Sequence, residues 1–124
     1  MIIEAWLDQF KHGWKNKDVD AVMQLFTPDI IYYETPFRRL SSLDELRKEW
    51  GNIVHQQEID LHFELFSRED DKYAIRWDLK YLNPQEQRMH FGGVYLIKLD
   101  ENGLCTEFRH YCEVEKIAEF HSCL

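Results

Sequence analysis

The chain has 124 residues, 44% of them hydrophobic and 15% aromatic, a composition that predicts one folded domain and excludes an intrinsically disordered chain. Fifteen basic and 23 acidic residues give a formal net charge of −8, and a field of this sign repels nucleic-acid backbones and anionic membrane surfaces. We therefore expect neither nucleic acid nor a membrane as a partner.

Two helices are predicted at the start of the chain. Apolar residues recur at three- and four-residue spacing from Ile2 to Trp14 and give way to a polar run at residues 15–17, which is typical of an amphipathic helix. Asp18 is positioned to cap a second, short helix. We expect that helix to end at Thr27, because a residue that precedes proline avoids helical backbone angles.

A strand and a third helix follow. Residues 30–35 are mostly β-branched or aromatic, which favours a strand, and a loop with Pro36 and a basic pair comes next. The segment "SSLDELRKEWGNIV" begins with serines, and Glu45 lies three residues after Ser42 in the pattern of a capping box. Its apolar face comprises Leu43, Leu46, Trp50 and either Ile53 or Val54.

The second half of the chain predicts a meander of long antiparallel strands. Here the hydrophobic period changes from helical spacing to strict alternation, which indicates strands with one buried face. Turns are predicted at residues 69–71, at Asn83-Pro84 and at the hairpin signal "DENG". The predicted strands are residues 59–65, 73–81, 88–99 and a last strand that runs through Glu115.

This order of elements predicts the fold class. Helix, helix, strand, helix and then four strands indicate an α+β domain, in which a curved antiparallel sheet wraps around three helices of the N-terminal half. Such a sheet encloses a cone with an internal pocket, and Gly92-Gly93 in the middle of a strand marks the bend. We expect a single domain over residues 1–117 and a C-terminal tail over residues 118–124.

Cysteine and histidine patterns predict no disulfide and no metal site. The three cysteines at 105, 112 and 123 match neither a disulfide framework nor zinc-ligand spacing, so we expect free thiols. The six histidines show no HxH or HExxH pattern. No apolar stretch approaches the roughly 20 residues of a membrane span, and no basic region opens the chain, which together predict a cytoplasmic protein.

Several stretches resemble the nuclear-transport-factor-2-like superfamily, and within it the SnoaL-like branch that also looks like ketosteroid isomerase. The order and spacing of these stretches carry the resemblance, which covers about residues 2–115. They are "WKNKDVDAVMQLFTPDIIYYETPF", "LDELRKEW", "AIRWDL" and "GGVYLIKLDENGLCTEFRHY".

The resemblance implies a conical pocket between the helices and the concave face of the sheet, and homodimers formed through the outer face. In the isomerase-like branch a carboxylate base lies near the end of strand one. That position falls on Glu34, or on Thr35 if the alignment shifts by one residue. The phenols that stabilise an oxyanion in the isomerase are replaced by Phe10 and Trp50, and its deeper acid by Tyr95.

Two residues are candidates for acid/base chemistry. If Glu34 enters the pocket, an apolar environment suits its carboxyl group to act as a general base; alternatively it points outward and pairs with Arg38, Arg39 or Arg109. His110 in the last strand is able to exchange a proton near neutral pH, or else is a core histidine that bonds to a tyrosine hydroxyl.

A set of aromatic residues is predicted to bind ligand. Rings with hydroxyl and indole groups on a concave sheet suit a small, mostly apolar, ring-bearing molecule, although for each residue alone core packing is the better explanation. The set is Tyr32, Trp50, Trp77, Tyr81, Tyr95 and Phe108.

Two kinds of function follow from this pattern. The first is a cofactor-free isomerase, cyclase or hydratase acting on an apolar ring-bearing substrate, with Glu34 as base and His110 or a tyrosine hydroxyl polarising the substrate. The second is a non-catalytic module, which either binds a ligand in the same pocket or assembles as a dimer. Both predict a small organic ligand or a homodimer, with no metal and no cofactor.

Overall fold

The computed structural model describes residues 2–115, which form three helices and six strands. The helices are α1 (Ile2–Lys15), α2 (Val19–Met23) and α3 (Leu43–Trp50), and α3 continues into a short 3-10 helix at Gly51–His55. The strands are β1 (Phe26–Thr35), β2 (Arg38–Leu40), β3 (Gln57–Glu69), β4 (Lys72–Leu82), β5 (Arg88–Leu99) and β6 (Cys105–Val114). Cys123 and the predicted tail lie outside the described residues.

One curved, unclosed sheet contains all six strands in the order β2-β1-β6-β5-β4-β3. Neighbouring strands are antiparallel except β1 and β6, which run parallel. This parallel pair brings an early strand beside the last one and so joins the two halves of the chain. The predicted α+β class, with a curved sheet around three helices, is confirmed.

The core lies between the helices and the concave face of the sheet. Phe10 of α1 is fully buried, and its ring centroid lies 5.2 Å from that of Trp50 and 6.0 Å from that of Tyr95. The predicted apolar face of α1 is therefore inward, except that Ile2 is exposed. Aromatic packing of this kind adds to the burial of apolar area and fixes the angle of α1 on the sheet.

Helix α3 begins as its sequence predicts. The Ser42 hydroxyl accepts a hydrogen bond from the Glu45 backbone N–H at 3.2 Å, and the Glu45 carboxylate accepts one from the Ser41 backbone N–H at 2.8 Å. These bonds satisfy N–H groups that a helix start leaves free. Leu46 and Trp50 are consequently held in the core.

The boundary between α2 and β1 differs from the prediction. The Asp18 cap is present, with its carboxylate accepting from the Ala21 N–H at 3.1 Å, but α2 ends at Met23 and β1 begins at Phe26. Phe26 pairs with Cys105 across the parallel β1–β6 contact, and this tertiary pairing overrides the local signal. Pro28 falls where the β1–β6 register is interrupted, so its missing N–H breaks no regular ladder.

The predicted loop after Pro36 contains an additional strand, β2. Tyr32 pairs with Leu40 and Tyr33 with Arg39, and Leu40 is buried. A three-residue strand is too short to show alternation, which explains why the sequence pattern did not indicate it. The hairpin brings Arg38 next to Glu34.

Cys105 is buried and Cys112 is exposed, and both thiols are free, in agreement with the sequence-based expectation.

Among residues 2–115 no helix combines the length and the apolar character that crossing a bilayer requires.

On the outer face, His90 joins three elements through its imidazole ring. Its Nε2 lies 2.6 Å from Oδ1 of Asp78 on β4, and its Nδ1 bonds to the carboxylate of Glu115 beyond β6. The hydrogen bond to Asp78, supported by the one to Glu115, raises the pKa of His90, and Lys80 is its cross-strand neighbour. We therefore expect a protonated His90 to hold the end of β6 against the sheet.

The His90 contacts predict a pH-dependent difference in stability. Because the folded pKa lies above the ordinary value of about 6.5, the stabilisation is fully present below that pH and is lost as the pH rises through the folded pKa. The urea midpoint of His90→Gln should fall furthest below the wild type near pH 6, and the gap should narrow at higher pH. The exposed His62→Gln is the matched control; a gap for His90→Gln that stays constant with pH contradicts this role.

Candidate ligand-binding cavity

A cavity of about 300 Å³ lies between the α3 segment and the concave face of the sheet. Five of the six predicted aromatic residues line it: Tyr32, Trp50, Trp77, Tyr81 and Tyr95. Glu34 and His110 line it as well. The curvature of the sheet therefore brings together side chains that are far apart in the chain, such as Tyr32 and His110.

Glu34 lies at the rim of this cavity, near the end of β1. Its carboxylate pairs with the Arg38 guanidinium at 3.1 Å, and the same guanidinium bonds to Glu49 on α3 at 2.6 Å. Both carboxylate side chains are 27% exposed. Glu34 thus combines features of both predicted alternatives, because it lines the cavity and also pairs with an arginine. Thr35 is exposed and caps the next turn through the Phe37 N–H.

His110 lies beside Glu34 because β1 and β6 run parallel. Its Nδ1 is 3.0 Å from the backbone oxygen of Glu34. A carbonyl oxygen only accepts hydrogen bonds, so Nδ1 carries the hydrogen and Nε2 of the neutral ring is the basic nitrogen. Burial lowers the pKa of His110, and the hydrogen bond to Glu34 only partly opposes this. The ring is therefore a neutral imidazole near pH 7.

The wall next to α3 is held by a hydrogen bond between two predicted site residues. The Trp50 indole N–H donates to the Tyr32 hydroxyl at 3.2 Å, which ties α3 to β1. Burial raises the pKa of Tyr32, so its hydroxyl keeps its proton at all physiological pH values. Tyr32 is therefore a neutral polar group in an otherwise aromatic wall.

The deep wall consists of stacked rings from β4 and β5. Trp77 stacks on Tyr95 at 5.0 Å between ring centroids and an interplanar angle of 8°, and the His110 ring lies 5.4 Å from Trp77. Burial raises the pKa of Tyr95 well above the ordinary value, so the hydroxyl stays protonated. Nearer the edge, Tyr81 stacks on Phe91 at 5.9 Å.

Phe108 is the predicted aromatic residue that does not line the cavity. It is fully buried and stacks on Tyr32, with ring centroids 4.8 Å apart and an angle of 4°. Its ring also lies 4.6 Å from that of Tyr95. It supports the lining rings from behind, within the core.

Several lining residues were missed by sequence reasoning. Trp14 was interpreted as core of α1, yet it lines the cavity, and its indole N–H donates to the Gln56 side-chain oxygen at 2.8 Å. Phe91 and Cys112 share the strand alternation of Tyr95 and His110, so that alternation would have predicted them. Glu49 had no such signal, because its position depends on how α3 packs against the β1–β2 hairpin.

The arrangement offers a defined set of chemical groups. Aromatic surface surrounds neutral hydroxyl and indole donors, and the imidazole Nε2 is a proton acceptor. The charged groups Glu34, Glu49 and Arg38 lie at the rim. No cluster of three or more histidine, cysteine or acidic side chains suited to a metal ion occurs within residues 2–115.

The sequence matches a family model described as a SnoaL-like domain over residues 3–108. No curated protein is significantly similar to this chain. The matched residues include the parts of the chain that form the cavity wall, apart from the end of β6, which contains His110.

Solved structures with the same fold have low sequence identity to this chain. SalBIII, an epoxide hydrolase/cyclase-like enzyme of pyran ring formation in salinomycin, has a TM-score of 0.75 at 16% identity, covering 92% of this chain and 91% of that one. Delta 5-3-ketosteroid isomerase from Mycobacterium sp. has a TM-score of 0.75 at 17% identity, covering 92% and 98%.

A third structure contains a bound ligand. RV0760c from Mycobacterium tuberculosis, in complex with estradiol-17beta-hemisuccinate, has a TM-score of 0.71 at 14% identity, covering 86% of this chain and 90% of that one. At these identities the three likenesses establish the shared fold, which is the nuclear-transport-factor-2-like cone.

Proposed function

This chain belongs to the SnoaL-like domain family, and we propose that it binds a small, largely apolar organic molecule in the cavity behind Glu34. We further propose that Glu34 and His110 serve acid/base chemistry on that molecule without a cofactor. Isomerisation, cyclisation and hydration are the reaction types that such a pair supports. The neighbouring folds include an isomerase and an epoxide hydrolase/cyclase-like enzyme, which makes these types the ones to test first.

The proposal rests on how the cavity wall is divided into an aromatic deep part and a charged rim. Its deep part is aromatic and its polar groups are few and neutral, as in pockets that bind apolar molecules. His110 stands between this part and the charged rim. A bound molecule in the cavity therefore meets a proton acceptor that burial keeps neutral.

A second candidate function is ligand binding without chemistry. The ion pair between Glu34 and Arg38 favours it, because a carboxylate held by a guanidinium is a weaker proton acceptor than a free one. In this case the cavity still holds a molecule, but neither Glu34 nor His110 needs to transfer a proton.

Binding of the bicyclic ketone 1-tetralone tests the first part of the proposal. We expect it to shift the amide resonances of residues around the cavity in a ¹H–¹⁵N spectrum and to raise the melting temperature, because a ligand that binds the folded state stabilises it. Incubation in D₂O then separates the two candidate functions. Catalysed exchange of the hydrogens next to the carbonyl group supports acid/base chemistry, whereas binding without exchange supports the second candidate.

Trp50→Ala is the matched perturbation of the cavity wall, and Phe66→Ala is its control. Trp50 is buried and lines the cavity, whereas Phe66 is 68% exposed and lies elsewhere on the surface. Resonance shifts that do not cluster around the cavity, or that persist in Trp50→Ala, would contradict the proposed binding site.

The remaining expectations stay predictions. A homodimer through the outer sheet face is supported by the exposed apolar side chains of Leu96 and Tyr111 on that face. A single domain over residues 1–117 and a cytoplasmic location stay as predicted from the sequence.

A further inference from the structure

The four tryptophans of the chain differ in how their indole N–H groups are satisfied. Trp6 donates to the Leu25 backbone oxygen at 3.1 Å. Trp14 donates to Gln56 at 2.8 Å, and Trp50 donates to Tyr32 at 3.2 Å. Trp77 is 6% exposed, and its Nε1 is buried with no hydrogen-bond partner among the described residues.

An unpaired buried donor is unusual, because a polar group removed from water without a partner destabilises the fold. In this protein the exception is the tryptophan of the deep cavity wall, which stacks on Tyr95 and lies next to His110. The three satisfied indoles show that the fold otherwise provides acceptors. Trp77 lines the cavity, so its unpaired N–H belongs to a side chain that a ligand in the cavity would contact.

We propose that the Trp77 indole N–H donates a hydrogen bond to an oxygen atom of the ligand. The cavity then selects molecules with a carbonyl, ether or hydroxyl oxygen over hydrocarbons of the same shape. This inference rests on the proposed function, since it requires a ligand in the cavity, and it adds the chemical class of that ligand. An indole N–H only donates, so the matching ligand atom is an acceptor.

The charges around the cavity favour a ligand whose acceptor oxygen is uncharged. Glu34 and Glu49 share the single guanidinium of Arg38, which leaves the rim with a net negative charge. A ligand carboxylate would be repelled by this rim and would lose its hydration in the aromatic interior. A neutral oxygen avoids both costs and still satisfies Trp77.

Small molecules that share one ring system and differ in their oxygen group test this ligand class directly. We expect 1-tetralone to bind about tenfold more tightly than tetralin, which has the same ring system without the oxygen. Tetralin-1-carboxylate should bind more weakly than the ketone. In a ¹H–¹⁵N spectrum the Trp77 indole resonance, assigned by its absence from Trp77→Phe, should move downfield with the ketone and not with the hydrocarbon.

The variant Trp77→Phe removes the donor and keeps an aromatic ring. It should lose the preference for ketone over hydrocarbon, and its affinity for tetralin should change by less than about threefold. Trp6→Phe is the control, because it removes an indole N–H outside the cavity and should leave the preference intact. If Trp77→Phe does not fold, the wild-type Trp77 indole resonance is assigned instead by through-space contacts to its own ring and backbone, and its shift gives the same answer.

The outcomes separate this inference from the function on which it rests. If the ketone binds in the cavity but the Trp77 resonance does not move, or if Trp77→Phe retains the preference, the role of Trp77 is overturned while ligand binding stands. If tetralin binds as tightly as the ketone, the proposed ligand class is also overturned. If no probe affects the cavity resonances, the proposed function fails together with this inference.

Discussion

Replacing Gly93 with alanine is expected to destabilise the protein by about 3 kcal/mol or more, and to leave little folded protein. An alanine Cβ at this position would lie 1.9 Å from the backbone oxygen of Tyr111 and 2.9 Å from the Cα of Cys112. Both atoms belong to the backbone of β6, so no side-chain rotation relieves the contact. The two strands would have to separate in the middle of the sheet.

The adjacent glycine provides the control for this prediction. A Cβ at Gly92 would have its nearest contact at 3.8 Å, to the Trp77 backbone oxygen, which is an ordinary van der Waals distance. Gly92→Ala should therefore retain a urea midpoint close to that of the wild type. Equal midpoints for Gly92→Ala and Gly93→Ala would show that the close approach of β5 and β6 is not required.

This close approach is also part of the cavity wall. Gly93 pairs with Trp77 on one side and with Cys112 on the other, and both neighbours line the cavity. A residue without a side chain between them leaves room on the concave face. The bend predicted at Gly92-Gly93 stays a prediction, and the close approach of β5 and β6 requires a glycine at Gly93 and not at Gly92, a distinction that composition alone does not make.

Most of the fold was predicted from the alternation of apolar and polar residues along the strands. The alternation of residues 73–81 and 88–99 is a local property of the chain, and β4 and β5 lie close to those bounds. The β1–β6 pairing is not local, since Tyr33 and Arg109 are brought into register by the whole fold. The errors at the end of α2 and at β2 both occur where such distant pairing decides the structure.

The same distinction applies to the candidate site. Alternation placed Trp77, Tyr81 and Tyr95 on the concave face, because facing follows from strand parity, but it did not separate them from Phe108, which lies in the core. It did not predict that Glu34 contributes its backbone oxygen to His110 as well as its carboxylate to the rim. It also did not predict the unpaired Trp77 N–H, which depends on how acceptors are placed throughout the part of the chain that the structure describes.

Replacing His110 with glutamine is expected to lower the rate of hydrogen exchange at the carbon next to the carbonyl of 1-tetralone by about 100-fold or more, which is the usual loss for a general base. In the proposed step, Nε2 takes this hydrogen as a proton and the electron pair moves to the carbonyl oxygen. A deuteron from D₂O then returns to the carbon. Glu34→Gln should also lower the rate, because Glu34 is the second proposed acid/base group.

The pH dependence of the exchange rate tests whether His110 is the base. Burial lowers the pKa of His110 below the ordinary value of about 6.5, so the neutral ring predominates above that pH. The wild-type rate, corrected for exchange without protein, should rise with pH through the lowered pKa and be level at higher pH. This rise of the exchange rate with pH should be absent from His110→Gln and present in Glu34→Gln.

Matched controls distinguish this chemistry from a general effect of charge. His62→Gln and Glu64→Gln change the same residue types on the exposed outer face, where Glu64 pairs with Arg76 as Glu34 pairs with Arg38. Neither should alter the exchange rate. If His110→Gln binds the ketone and exchanges its hydrogens as fast as the wild type, His110 is not the base. The cavity would then be a binding site whose neutral imidazole serves only to fix the end of β1 against β6.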